Sequence, residues 1–199
     1  MGNAEPDQRV DHVRPLVQRL RLDWLLAHFH PRLVRALFVF VNGFVTIAVL
    51  ALLALVSRNP FVFPSLGPTA YLVFFSPLSR ASSPRNTILG HAVGLACGYG
   101  AFVLTGAGAE AFGTHAGIFW PRILAAALSL STTGAAMVLL DISHPPAGAT
   151  TLIVSLGIIA KPNELMIIEF AVLLLVAQAL AINRLAGIPY PLWNAAAPE

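Results

Sequence analysis

The chain has 199 residues, of which 57% are hydrophobic and 11% charged, and its net charge is +3. A soluble domain carries about 25% charged residues, and a disordered chain combines low hydrophobicity with high charge. The composition excludes both and predicts a membrane protein of one domain.

Charge is concentrated at the start: Arg9, Arg14, Arg19, Arg21, Arg32 and Arg35 make up half of the 12 basic residues. This head lacks the density of a nucleic-acid-binding arm. By the positive-inside rule it predicts a cytoplasmic N-terminus, facing an anionic leaflet, in a multi-pass protein of the cell (inner) membrane. The first apolar run starts too late and is too long for a cleaved signal, so it is expected to remain as the first span. Cys97 is the single cysteine. An intrachain disulfide is therefore excluded, and its apolar surroundings predict an inert thiol.

In chain order, residues 1–32 form the basic tail. Within it, 13–30 place Leu16, Leu20 and Trp24 at helical spacing with arginines between them, the pattern of an amphipathic helix lying at the membrane interface. Pro31 turns the chain into the bilayer. Residues 36–57 carry no charge and measure about 33 Å as a helix, enough to span. Residues 59–79 are long enough, but Pro60, Pro64, Gly67, Pro68 and Pro77 prevent a regular helix in the first half. Residues 86–105 span, and 106–121 form a Gly-rich loop with Glu110 and His115. Residues 123–140 span and end at Asp141. Residues 142–160 are apolar but open with His144, Pro145 and Pro146. After a polar turn, 165–182 form the last span, with Glu169 inside it. Tyr190 and Trp193 in the tail fit an aromatic belt. The expected fold is an all-α polytopic membrane protein: a domain over 33–193 with four full transmembrane helices and two Pro/Gly-broken half-helix segments, then a tail at 194–199.

The two broken segments resemble each other. An offset of 81 residues sets PSLGPTAYLVF (64–74) against PPAGATTLIVS (145–155) and aligns Pro64 with Pro145, Gly67 with Gly148, Thr69 with Thr150 and Val73 with Val154. This predicts an internal repeat, 33–105 and 122–184, each half built as span, broken segment, span. If the broken segments re-enter, the chain crosses four times and the repeats are parallel; if they cross, it crosses six times and the repeats are inverted. With the N-terminus inside, six crossings place nine basic residues inside and three outside, against eight and four for re-entry. The inverted arrangement is favoured.

A prolyl break inside a membrane leaves backbone groups unpaired, which is tolerated only in a protein interior or beside a wet cavity. Here the helices are expected to restart near Gly67 and Pro68 and near Gly148. Proline suits a first helical turn, and glycine permits close approach. Each restart presents the positive end of a helix dipole, which favours an anion. Ser65, Thr69, Thr150 and Thr151 add hydroxyl donors, with Ser143 a further candidate, and Pro64, Pro145 and Pro146 hold the breaks open. The competing reading is a bundle of kinked helices whose threonines bond their own backbone.

His144, an ionisable group at a break, is read either as an anion donor or proton carrier, or as a structural histidine bonded to a carbonyl freed by Pro145 and Pro146. Its counterpart in the first repeat is Phe63, which makes the site lopsided. Asp141 pairs with His144 or an arginine, or marks the membrane edge. His91, five residues into its span, is expected to be half-buried and bonded to Asn86, Thr87 or a neighbouring helix. Glu169 snorkels or pairs with a loop charge. The histidines at 91, 115 and 144 lack metal-ligand spacing, and no cofactor is implied. Gly90, Gly94 and Gly98 give one helix a small-residue face, expected to seat a half-helix within the chain rather than make an oligomer contact.

The stretch DISHPPAGATTLIVSLG (141–157) resembles the HPP family of integral membrane proteins, named for the His-Pro-Pro carried here by His144, Pro145 and Pro146. FPSLGPTAYLVF with SPRNTILGH (63–91) and the terminal NRLAGIPYPLW resemble it too, so the likeness covers most of 33–193. The resemblance implies four spanning helices and transport, and plant chloroplast and cyanobacterial members are linked to nitrite. The expected function is a transporter or channel for a small anion, nitrite first, and no enzyme. The expected partners are that anion and the bilayer, with no nucleic acid and a homo-oligomer left open. The rivals are a channel for water or another small solute, and a sensor or assembly partner working through the basic head.

Overall fold

The computed structural model describes residues 21–109 and 119–195. The first half of the expected interfacial helix, and Glu110 and His115, lie outside these. The helices are α1 (Leu22–His28), α2 (Pro31–Ser57), α3 (Leu66–Phe75), α4 (Pro84–Leu104), α5 (Trp120–Leu139), α6 (Ala147–Ser155) and α7 (Pro162–Leu185). The described residues contain no strand. Helices α2, α4, α5 and α7 have 27, 21, 20 and 24 residues and are long and apolar enough to cross a membrane. Helices α3 and α6 have only 10 and 9 residues, which reach about 15 Å, half a bilayer core.

Proline sets the starts of the four long helices, standing in the first turn of each, where its missing N–H costs nothing. Three helix ends share one closure. After α5, Ile142 N–H bonds Met137 C=O at 2.8 Å and Asp141 N–H bonds Val138 C=O at 3.2 Å; Ile158 and Gly157 repeat this on α6, and Ile188 and Gly187 on α7. The closure needs a left-handed residue. Glycine supplies it at Gly157 (φ 77°) and Gly187 (φ 85°), but after α5 it is Asp141 (φ 54°). Arg85 reinforces that end, donating to the carbonyls of Leu140 (3.1 Å) and Asp141 (2.9 Å), and Arg80 donates to the Asp141 carbonyl at 2.7 Å.

Contacts define two ends of the bundle. At one end Leu22 N–H bonds Ala186 C=O (2.9 Å), Arg85 N–H bonds Trp193 C=O (3.1 Å), and the Tyr190 hydroxyl donates to the Ser82 carbonyl. Arg32, Arg35, Phe75, Leu78 and Ile188 line one groove there, of about 1040 Å³. At the other end the Phe102 ring lies against Gly108 and Gly157. Tyr190 is fully buried, which corrects the aromatic-belt expectation: its hydroxyl reaches inward for a carbonyl rather than outward for headgroups. Trp193 is half-exposed.

The distribution of polarity is inverted relative to a water-soluble domain. Phe40, Phe44, Leu55 and Val138 are at least 68% exposed, whereas Ser65, Thr69, Thr87, His91, Thr150, Thr151 and Asn183 are fully buried. A core of Leu50, Leu66, Val73, Val154, Ile168 and Leu175 surrounds them.

Candidate functional site

The site begins with the glycine face of α4. A methyl added at Gly90 would lie 2.7 Å from His144 Cβ, one at Gly94 2.8 Å from the Ala147 carbonyl oxygen, and one at Gly98 2.7 Å from the Thr151 carbonyl oxygen. Residues 144–154 therefore run alongside α4 in the same direction, at a distance only glycine allows. The small-residue face seats the short helix within the chain, as expected. Helix α3 runs the opposite way past the same segment: Ser65 meets Thr150, and Thr69 meets His144. The starts of α3 and α6 overlap side by side.

Five side chains converge there, and Thr151 pairs with Thr133 beside them. Ser65 Oγ and Thr150 Oγ1 are 2.7 Å apart, and Thr150 Oγ1 is 2.7 Å from His91 Nδ1. Thr69 Oγ1 lies 3.0 Å from His91 Nε2 and 3.2 Å from His144 Nε2. The two imidazoles are tilted at 57° with centroids 4.9 Å apart, and His144 Nδ1 donates to the Ala81 carbonyl at 2.7 Å. Thr151 Oγ1 donates to the Gly94 carbonyl at 3.1 Å and meets Thr133 Oγ1 at 2.9 Å. His91 and His144 are 0% and 1% exposed. Any occupant must displace these bonds, because the hydroxyls and rings now satisfy one another.

Ser65, Thr69, His144 and Thr150 are thus brought together, while Thr151 turns to Thr133 and the Gly94 carbonyl. Gly67 and Pro68 are not: both are exposed, and a methyl at Gly67 meets nothing within 4 Å. The helix-start rule located the break but not the face it turns inward. Gly148 is half-buried beside Leu130. Pro64 and Pro145 are exposed and Pro146 buried, all at the breaks. The backbone donors also differ from expectation. Ala147, Gly148 and Ala149 N–H bond the carbonyls of His144, Pro145 and Pro146 at 3.0–3.1 Å. A tight turn consumes the amides that an anion was expected to use.

Two residues are more central than the sequence indicated. His91 is wholly rather than half buried, and of the expected partners it takes the neighbouring helices, bonding both short segments through Thr69 and Thr150 and not Asn86 or Thr87. Asn86 joins the breaks themselves, donating to the Arg80 carbonyl (2.8 Å) and accepting from Ser143 N–H (2.9 Å). Phe63, the counterpart of His144, is buried in the apolar core. The carboxylate oxygens of Glu169 are buried without a hydrogen-bond partner.

Asp141 pairs with Arg80, not with His144. The Arg80 hydrogen bond and charge hold its carboxyl below the usual carboxylate range. A depressed folded-state value contributes stability fully above the unfolded value of about 4 and loses it as pH falls through the folded one. The difference in thermal midpoint between wild type and Asp141→Asn is therefore expected to stay constant from about pH 5 to 8 and shrink in stronger acid.

A family model described as HPP, transmembrane region, matches residues 28–191, most of the chain. No curated protein and no solved structure matches.

Proposed function

The chain belongs to the HPP transmembrane family, and we propose that it moves a small anion across the cell membrane, with nitrite the first candidate. The observation that carries this reading is the buried cluster of hydroxyls and imidazoles where the two broken segments meet, enclosed by a bundle whose outer surface is apolar. Polar groups at membrane depth mark solute paths, and paired discontinuous helices are the usual site of secondary transporters.

We read α3 and α6 as half-helices of an inverted repeat. In this reading the broken segments cross: 77–85 share one end with 32–35 and 186–193, while 157 shares the other with 102 and 108. Six crossings put Arg21, Arg32, Arg35, Arg80, Arg85 and Arg184 at one end and Arg58, Arg122 and Lys161 at the other, which makes the first end cytoplasmic. Because the α6 amides are consumed in their turn, the donors offered to an anion are hydroxyls and imidazole N–H groups, with the helix dipoles behind them. His144 and Thr150 lead this set.

Liposome uptake tests the proposal. Wild-type protein is expected to give saturable nitrite uptake above chloride, formate and water, and His144→Ala to lower it in a folded preparation. Equal flux of all solutes would replace the carrier with an open channel. No flux from well-folded wild type would overturn transport and favour a sensor working through the basic head.

A further inference from the structure

We infer that Ser65, Thr150, His91, Thr69 and His144 form a single-file proton relay ending at the turn around Ala81. A carbonyl only accepts, so His144 Nδ1, 2.7 Å from the Ala81 oxygen, carries hydrogen. A buried ring bonded to no acid is neutral, so His144 Nε2 is bare and takes the Thr69 hydroxyl proton across 3.2 Å. Thr69 has one proton, shared between His144 Nε2 at 3.2 Å and the Ser65 carbonyl at 3.0 Å, so its oxygen must accept from His91 Nε2–H at 3.0 Å. His91 Nδ1 is then bare and accepts from Thr150 at 2.7 Å, and the Thr150 oxygen accepts from Ser65 at 2.7 Å. From Ser65 to His144 every bond of the file points the same way.

A proton added at the Ser65 oxygen moves the whole file. The Ser65 proton passes to Thr150, the Thr150 proton to His91 Nδ1, the His91 Nε2 proton to Thr69, and the Thr69 proton to His144 Nε2. One proton enters, His144 becomes an imidazolium, and no electron changes hands. The charge then leaves from His144 Nδ1 when its bond to Ala81 opens, at the basic end of the bundle. The Ser65 carbonyl, 3.0 Å from the Thr69 hydroxyl, gives that hydroxyl a second resting place while the file resets.

The surroundings leave the rings as the carriers. Among the described residues, α3 and α5 bring the hydroxyls of Thr69 and Thr133, and Arg122, the charged residue of α5, stands in its first turn, at the far end of that helix from Asp141. On α4, Arg85 is turned to the Leu140 and Asp141 carbonyls. On α7, Glu169 is the buried acid, and Asn183 bonds the Val73 carbonyl at 3.1 Å. Tyr190 from the tail bonds Ser82. Coupling of this relay to solute rests on the transport reading above; the relay itself does not.

Two readouts on the full chain in liposomes test it. Nitrogen-15 NMR of labelled histidines, assigned with His91→Gln and His144→Gln, is expected to show His91 as the Nε2–H tautomer and His144 as the Nδ1–H tautomer. The same tautomer at both would overturn the relay. With a pH-reporting dye inside, Thr69→Val is expected to cut proton flux at least tenfold, Thr69→Ser to restore it, and Glu169→Gln to leave it unchanged. Wild-type proton flux in Thr69→Val, no restoration by serine, or loss in Glu169→Gln would each overturn the relay. Proton flux that obeys these expectations without nitrite uptake upholds the relay and rejects the transport reading instead.

Discussion

His91→Ala is expected to abolish nitrite uptake and to destabilise the protein more than His144→Ala does. The ring is fully buried and bonds Thr69 and Thr150, one from each broken segment. Its removal strands two hydroxyls and opens a hole between α3 and α6. Large-to-small changes in a packed core, with polar partners left unsatisfied, cost about 3–5 kcal/mol. His144→Ala frees only the Ala81 carbonyl and one of the bonds at Thr69. His91→Gln keeps a donor and an acceptor, so it is expected to recover much of the thermal midpoint without recovering uptake. A midpoint unchanged in His91→Ala would show that the cluster does not hold the broken segments together.

The second large effect is steric. Gly98→Ala places a methyl 2.7 Å from the Thr151 carbonyl oxygen, on a backbone that cannot swing aside, whereas Gly100 on the same helix has nothing within 4 Å. Forcing a methylene into a packed contact costs about 1–3 kcal/mol. Alanine for an unobstructed helical glycine gains about 0.5–1 kcal/mol. The two variants are therefore expected to shift the thermal midpoint in opposite directions. Two shifts of the same sign would mean that α6 is not seated on α4 as described.

The long helices were legible because apolar runs of 20 or so residues have one stable outcome in a bilayer. The breaks were legible because proline forbids helix before it and is accepted only in a first turn. The glycine spacing on α4 likewise carried its own meaning. The central role of His91 did not, because its partners lie 22 and 59 residues away along the chain. A lone histidine in an apolar span has no local pattern that points to them. Gly67 and Pro68 show the same gap from the other side: their identity marks where a helix restarts, but only packing decides which face turns inward. Tyr190 had an amphipathic composition suited to an interface, and a buried carbonyl 108 residues distant claimed it.

The proposed solute path runs among Ser65, Thr69, His144 and Thr150. The most direct measurement replaces Cys97 with serine, puts a single cysteine at Thr150, and follows its labelling by a small membrane-impermeant thiol reagent in sealed liposomes. Labelling during turnover, slowed by nitrite and not by an equal concentration of sulfate, is the expected result. A folded, transporting variant whose Thr150→Cys thiol reacts at a rate unaffected by nitrite would place the path elsewhere in the bundle.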